Sequence, residues 1–356
     1  YSTAMTTFGE LEVSSGRLVD TITDFENFID ERVLWIRSAS VVNLNTFPRT
    51  AIGSRVIFSR KNLSTAIGVL KDDLQQHKYI SLFALFTTIT LLLLSQRIRK
   101  LISTLGKKNR HQLSTKLTST LAALGLTLVV SSVWPTLIWL IGWRFTSVSG
   151  NDFTLAFGNA LQVTAIAFWT MEVIRQMSRK GGISETFLEW DSKAMAAVHK
   201  NLSLLMLVSL PLMFLTVISD VYNEGYWADS VGRVAFITFC GVLVFAAAKM
   251  LKPSGKILGN LLKANQDGLM YRTRNVWYSL SILAPASLAV LAIFGYQYTA
   301  EQLLVRLQFT FWLSISILIA YTLVTQWILI VRKQIAMDQA RARRAAAMQN
   351  KSQEGG

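Results

Sequence analysis

The sequence predicts an all-α membrane protein with seven transmembrane helices. One lone span is followed by three tandem helical hairpins, and an N-terminal periplasmic helical segment precedes them all. Three observations carry this reading. Seven apolar runs are each about as long as a helix needs to cross a bilayer core, roughly 20 residues. The 356-residue chain is 51% hydrophobic and 16% charged, against about 25% charged in a soluble domain. The charges also alternate. The four segments on one side of the runs hold 24 Lys and Arg against 6 acids, whereas the three loops on the other side hold Arg144 alone against five acids. Moving the span count by one would invert every later loop and erase that asymmetry. The positive-inside rule therefore puts the N-terminus outside and the C-terminus in the cytoplasm.

Residues 1–78 read as a helical segment outside the span array, with nine basic and nine acidic residues that by themselves favour neither side. Phe8, Leu11, Ser15, Leu18, Ile22, Phe25 and Ile29 follow a heptad spacing with one polar defect, which fits either a packed amphipathic helix or a coiled coil. Residues 37–50 form a loop punctuated by Pro48. From Ser59 or Asn62 to Gln76, the apolar positions Leu63, Ala66, Ile67, Leu70 and Leu74 make an amphipathic helix too polar to span. It either lies at the membrane interface or packs on the preceding helix.

The seven-helix array occupies 79–331. Span 79–95 runs into Arg97, Arg99, Lys100, Lys107, Lys108, Arg110 and Lys116 with no acid among them, which marks the cytoplasmic side. Span 117–141 carries Pro135 and ends among Trp134, Trp139 and Trp143, residues suited to an interface. Span 153–174 ends at a basic segment. Spans 201–219 and 231–250 form a hairpin around an acidic turn. Span 276–294 contains Pro285. Span 302–331 exceeds what a bilayer requires, so it should tilt or project. Residues 332–356 are a basic cytoplasmic tail, read as the seventh helix continuing and then fraying, or as a tail on anionic headgroups.

A repeat of about 75 residues organises the hairpins. Pro135, Pro211 and Pro285 are 76 and 74 apart, and Asn159, Arg233 and Arg306 are 74 and 73 apart. Each of these polar residues sits in a related context: Phe157-Gly158-Asn159, Val231-Gly232-Arg233 and Leu304-Val305-Arg306. Regular spacing of this kind is the sequence sign of a stacked array. The prolines are expected to bend their helices by removing a hydrogen bond. Asn159, Asp229, Arg233 and Arg306 are expected to be polar anchors at the outer interface, with Asp229 and Arg233 spaced to pair on one helix face. Arg306 lies within reach of Glu301. Glu172 and Arg175 form an expected pair at the cytoplasmic end of their span.

The residues supply few parts for chemistry. His77, His111 and His199 are isolated, and the one cysteine, Cys240, lies inside an apolar span. No catalytic, metal or cofactor site is expected, and Gly181-Gly182 reads as a turn. The net charge of +15 is spread over short loops between spans, which argues against a nucleic-acid partner and for membrane lipids. No acid stands near the middle of a span, so a proton or cation relay lacks its groups.

Several segments together resemble one family, the large bacterial MscS-like mechanosensitive channels of the MscK and MscM type. They are 28–36 (FIDERVLWI), 181–190 with Phe187-Leu188-Glu189-Trp190, 229–233 (DSVGR), 295–300 (GYQYTA) running into Arg306, and 332–344 with Ala336, Gln339-Ala340 and Arg343-Arg344. The resemblance implies the end of a periplasmic domain followed by the helix array, with the pore module lying beyond this region. It implies a homoheptameric channel in a bacterial inner membrane that releases ions or solutes on osmotic downshock. The array would serve it as tension sensor or scaffold. The competing readings are a secondary transporter, a seven-helix membrane sensor enclosing a ligand pocket in a bundle, and a purely structural scaffold.

Overall fold

The computed structural model describes residues 37–38, 40–43, 45–109, 116–148, 151–187, 190–222, 228–255, 257, 259 and 269–354. The heptad pattern over 8–29 lies outside them. Every regular element among the described residues is a helix. The order is α1 (Thr46–Ile57), α2 (Arg60–Gln76), α3 (Lys78–Asn109), α4 (Lys116–Val148), α5 (Asp152–Met177), the short α6 (Ile183–Thr186), α7 (Ser192–Val221), α8 (Ala228–Met250), the short α9 (Leu269–Arg272), α10 (Arg274–Ile293) and α11 (Gln297–Glu354).

Local chemistry sets several of these boundaries. Ser59 caps α2 by accepting the Asn62 amide at 3.3 Å. Asn151 caps α5 through Phe153, and Asp191 caps α7 through Lys193, both at 3.1 Å. Each side chain satisfies one of the amide groups that the first turn of a helix leaves unpaired. Pro135, Pro211 and Pro285 stand inside α4, α7 and α10, and each helix runs on past its proline. Threonine and serine hydroxyls bond back one turn in all three, as from Ser131 to the Thr127 carbonyl, Thr216 to Leu212 and Ser281 to Trp277. Such bonds satisfy the hydroxyls at membrane depth without a partner helix.

Among the described residues, five helical stretches are long and apolar enough to cross a membrane: Ser119–Val148, Ser192–Val221, Ser230–Met250, Arg274–Ile293 and Gln297–Thr325. Predicted spans 79–95 and 153–174 each lie in one helix, α3 and α5, but neither helix is among the five. In α5 the apolar run is interrupted by Asn159, Gln162 and Glu172.

The helices pack in series, α3 on α4, α4 on α5, α5 on α7, α7 on α8, α8 on α10 and α10 on α11. The last helix then leans back. Trp312 and Ile319 of α11 pack against a cluster formed by Ile98 and Ile102 of α3, Ala123 and Val130 of α4, and Val173 and Met177 of α5. The expected long seventh helix is longer still. It continues unbroken to Glu354, 58 residues in all, or about 87 Å at 1.5 Å per residue.

The two ends of the array differ in charge. One carries Asp152, Asp220 and Glu301, and the other Arg99, Arg175 and Arg179. At the acid-rich end Phe145, Phe153, Phe157, Phe214 and Tyr222 pack in three edge-on contacts with centroids 5.3–5.4 Å apart and one tilted contact, Phe153 on Phe157, at 5.9 Å. Ile57 of α1 and Ala66 of α2 are buried in the same cluster. The amphipathic helix α2 therefore does not simply pack on the helix before it. Ala66, Val69 and Leu70 are seated on the hairpin ends, whereas Leu63, Ile67 and Leu74 of the same helix stay exposed.

Candidate functional site

The acid-rich end is crossed by a strap, residues 37–76, that touches each of the three hairpins in reverse order. Its first stretch lies on the α10–α11 turn. That turn is tight because Gly295 adopts φ +95°, a left-handed conformation that costs other residues about 1–2 kcal/mol. The Tyr296 amide reaches back to the Leu291 carbonyl at 3.0 Å and the Gly295 amide to Ala292 at 3.2 Å, the bonding of a Schellman cap. The carbonyls of Ile293 and Gly295 are left facing outward. The Val42 amide donates to the first at 3.0 Å, and the Ser38 hydroxyl donates to the second at 3.2 Å. Ser38 Oγ also accepts the Tyr298 amide at 3.4 Å, in the first turn of α11, where an amide has no carbonyl of its own helix to bond. The Arg37 guanidinium stands 5.7 Å from the Tyr296 ring centroid. Alanine at Gly295 is expected to lower stability by about 1–2 kcal/mol and asparagine by less, read by thermal unfolding in detergent. Equal tolerance of both would show that the turn does not depend on that conformation.

The second contact is on α8. Arg233 is 4% exposed and donates from Nη1 to the Ser40 carbonyl, while Thr50 Oγ1 donates to the Ser230 carbonyl at 3.2 Å. The third contact is on the α4–α5 hairpin. Arg144 meets Asp73 of α2 in a two-pronged ion pair, Nε to Oδ2 at 2.8 Å and Nη2 to Oδ1. Asp73 is almost fully buried, its side chain 3% exposed, and that of Arg144 is 14% exposed. The Arg144 guanidinium also lies 5.2 Å from the centroid of the Trp143 ring.

The candidate residues fall at corresponding places without converging on one pocket. Pro135 and Pro285 are buried and Pro211 is exposed, on three separate helices. Asn159 is half-buried in α5. Arg233 reaches the strap, and the side chain of its expected partner Asp229 lies outside the described residues. Arg306 is exposed on α11, while Glu301 accepts a hydrogen bond from Gln297 at 2.8 Å. Glu172, 1% exposed, receives two bonds from Arg175 and one from Gln176, each 2.6 Å.

The glycines before two of the anchors have a role that spacing alone did not assign. A Cβ on Gly158 would stand 2.8 Å from the Gly142 carbonyl, and one on Gly232 3.1 Å from the Ser219 Cβ. Both glycines let the arms of a hairpin meet near its turn. The sequence reading also missed Asp73 and Arg144 as partners. The available signal was Arg144 itself, the lone basic residue among five acids in the outer loops.

A family model described as the mechanosensitive ion channel inner membrane domain 1 matches residues 79–356. The miniconductance mechanosensitive channel MscM of Escherichia coli (strain K12) is 24% identical over 226 residues, covering 64% of this chain and 20% of that protein. The chain thus spans about a fifth of the length of the curated relative that it matches. No solved structure matches it.

Proposed function

We propose, for a chain that belongs to the family of mechanosensitive ion channel inner membrane domains, that its helix array is the part through which membrane tension and the periplasmic segment act on a channel pore. The observation that carries this reading is the strap: one continuous segment is bonded to all three hairpins at the same end of the array. A change in tilt or spacing of any hairpin would then be felt by the other two and by the segment before residue 37. The 58-residue α11 leads away from the third hairpin toward the opposite end, in the direction where the resemblance places the pore module.

In this reading the array spans a bacterial inner membrane seven times, at 79–95, 117–141, 153–174, 201–219, 231–250, 276–294 and 302–331. Residues 1–78 are periplasmic, 332–356 are cytoplasmic, and identical subunits assemble as a homoheptamer that passes ions or solutes on osmotic downshock. The polar helix α5 fits as a span because it lies between α4 and α7, with protein on two sides. Pro135, Pro211 and Pro285 serve as helix bends, and Asn159, Asp229, Arg233 and Arg306 as anchors at the outer interface. Arg175 neutralises Glu172 at the inner end.

The physics is a difference between states. Tension favours whichever conformation of the array occupies more membrane area, and the ligand-free equilibrium shifts by the difference in free energy between the two. Mismatch between helix length and bilayer thickness adds fractions of a kcal/mol per Å. The test is patch-clamp recording of the full channel after removal of the middle hairpin, residues 201–250. A raised tension threshold is expected. An unchanged threshold in a channel that still conducts would leave the array as a scaffold only.

A further inference from the structure

At the basic end, α3, α4, α5 and the turn after α5 line a cavity of about 690 Å³ that is open to one side. Arg99 and Lys100 line it from α3, and Arg179 and Lys180 from the turn. No acid lines it. The nearest carboxylates are already engaged: Glu172 by Arg175 and Gln176, and Glu185 by the Gly181 amide at 2.8 Å. Four cations therefore face one space, and among the described residues no carboxylate lines it with them.

The turn is built to deliver two of them. Its chain reverses at Gly181, with φ +71°, and a Cβ there would lie 3.9 Å from the Ser103 hydroxyl of α3. The Gly182 amide donates to the Arg179 carbonyl at 2.8 Å. A Cβ on Gly182 would stand 2.7 Å from that same carbonyl. Both glycines are needed for Arg179 and Lys180 to fold back beside α3.

Positive charge at this end is expected of any membrane protein of this charge pattern. That rule does not explain Arg99. Its Nε is buried and has no hydrogen-bond partner among the described residues, an arrangement that in a folded protein calls for a missing acceptor. Burial, and then the charge of Arg179, push the Arg99 guanidinium below its usual pKa, opposed by Glu172. An anion in the cavity would relieve the repulsion and accept the orphaned proton. Arginine forks match the oxygens of a phosphate group, and the volume is that of a small-molecule site.

We propose that this cavity binds a phosphate group, presented by an anionic lipid headgroup or by a soluble phosphate compound. The site is independent of whether the array senses tension. The test uses the full-length channel, delipidated in neutral detergent, with thermal unfolding followed by tryptophan fluorescence. One arm titrates phosphatidylglycerol into the micelles. The other titrates inorganic phosphate against chloride at constant ionic strength. Saturable stabilisation is expected in at least one arm, weakened about tenfold or more in Arg99→Gln and in the rim variant Arg179→Gln. It should be unchanged in Arg272→Gln, which removes an exposed cation outside the cavity. A response to lipid alone assigns the phosphate to a headgroup, and a response to inorganic phosphate assigns it to a soluble source. Stabilisation in neither arm, or equal weakening by Arg179→Gln and Arg272→Gln, overturns the proposal.

Discussion

Asp73→Ala is expected to destabilise the array by about 3–5 kcal/mol, the range for breaking a buried ion pair by removing one partner. The cost arises less from the lost attraction than from what is left behind. Arg144 has a 14% exposed side chain, and without Asp73 its charge would keep only the face of Trp143. Arg144→Ala should cost a similar amount by stranding the nearly buried carboxylate. The double variant should recover much of the loss, because neither charge then remains unpaired. A double-mutant cycle in thermal unfolding reads the coupling directly. Simple additivity of the two single effects would mean that the pair does not hold α2 to the hairpin. The same variants should release the strap from the first hairpin only, leaving the contacts of Ser38 and Val42 with the third.

Gly158→Leu is expected to be comparably severe, about 3 kcal/mol, at the upper end of overpacking. Even its Cβ would meet the Gly142 carbonyl at 2.8 Å, Thr146 Cγ2 at 2.8 Å and Phe145 Cβ at 2.9 Å. The first of these is backbone and cannot rotate away, so α4 and α5 must part. In a bilayer such close approach is a main source of helix association, since lipid and side chain are equally apolar. Gly232→Ala should cost less, its nearest neighbours lying at 3.1 and 3.4 Å. Gly241→Leu is the control, because nothing lies within 4 Å of its Cβ position. Equal unfolding temperatures for Gly158→Leu and Gly241→Leu would exclude the close contact. The third repeat has Val305 at the equivalent place, exposed on α11, and its hairpin packs less closely than the other two.

Much of the helix order was legible because a membrane simplifies the code: a span must be helical, apolar and of a certain length. Each predicted span falls on one helix, 276–294 overrunning its helix by the capping residue Phe294, and the three prolines recur in corresponding ones. The limits of that code are equally physical. Helix α5 can carry Asn159, Gln162 and Glu172 because helices flank it, and composition alone then fails to give it enough apolarity. The strap was illegible because hydrogen bonds to the carbonyls of Ile293, Gly295 and Ser230 place no demand on residue type at those positions. Arg233 illustrates the middle case. Its place near the start of α8, at the acid-rich end of the array, could be read from spacing, whereas its use of the Ser40 carbonyl could not. For Glu172 and Arg175 the contact is local, three residues along one helix, and sequence spacing sufficed to anticipate it.

The reversed order of the strap has a consequence for biogenesis. Ser38 lies 257 residues before its partner Gly295, and Thr50 lies 180 before Ser230. The strap leaves the ribosome first, yet its earliest residues bind the hairpin that is made last. Contacts so distant in sequence form late, since they close the largest loops. The segment around Ser38 must therefore wait until the α10–α11 turn has formed, so its docking completes only after the last pair of helices has folded back on itself.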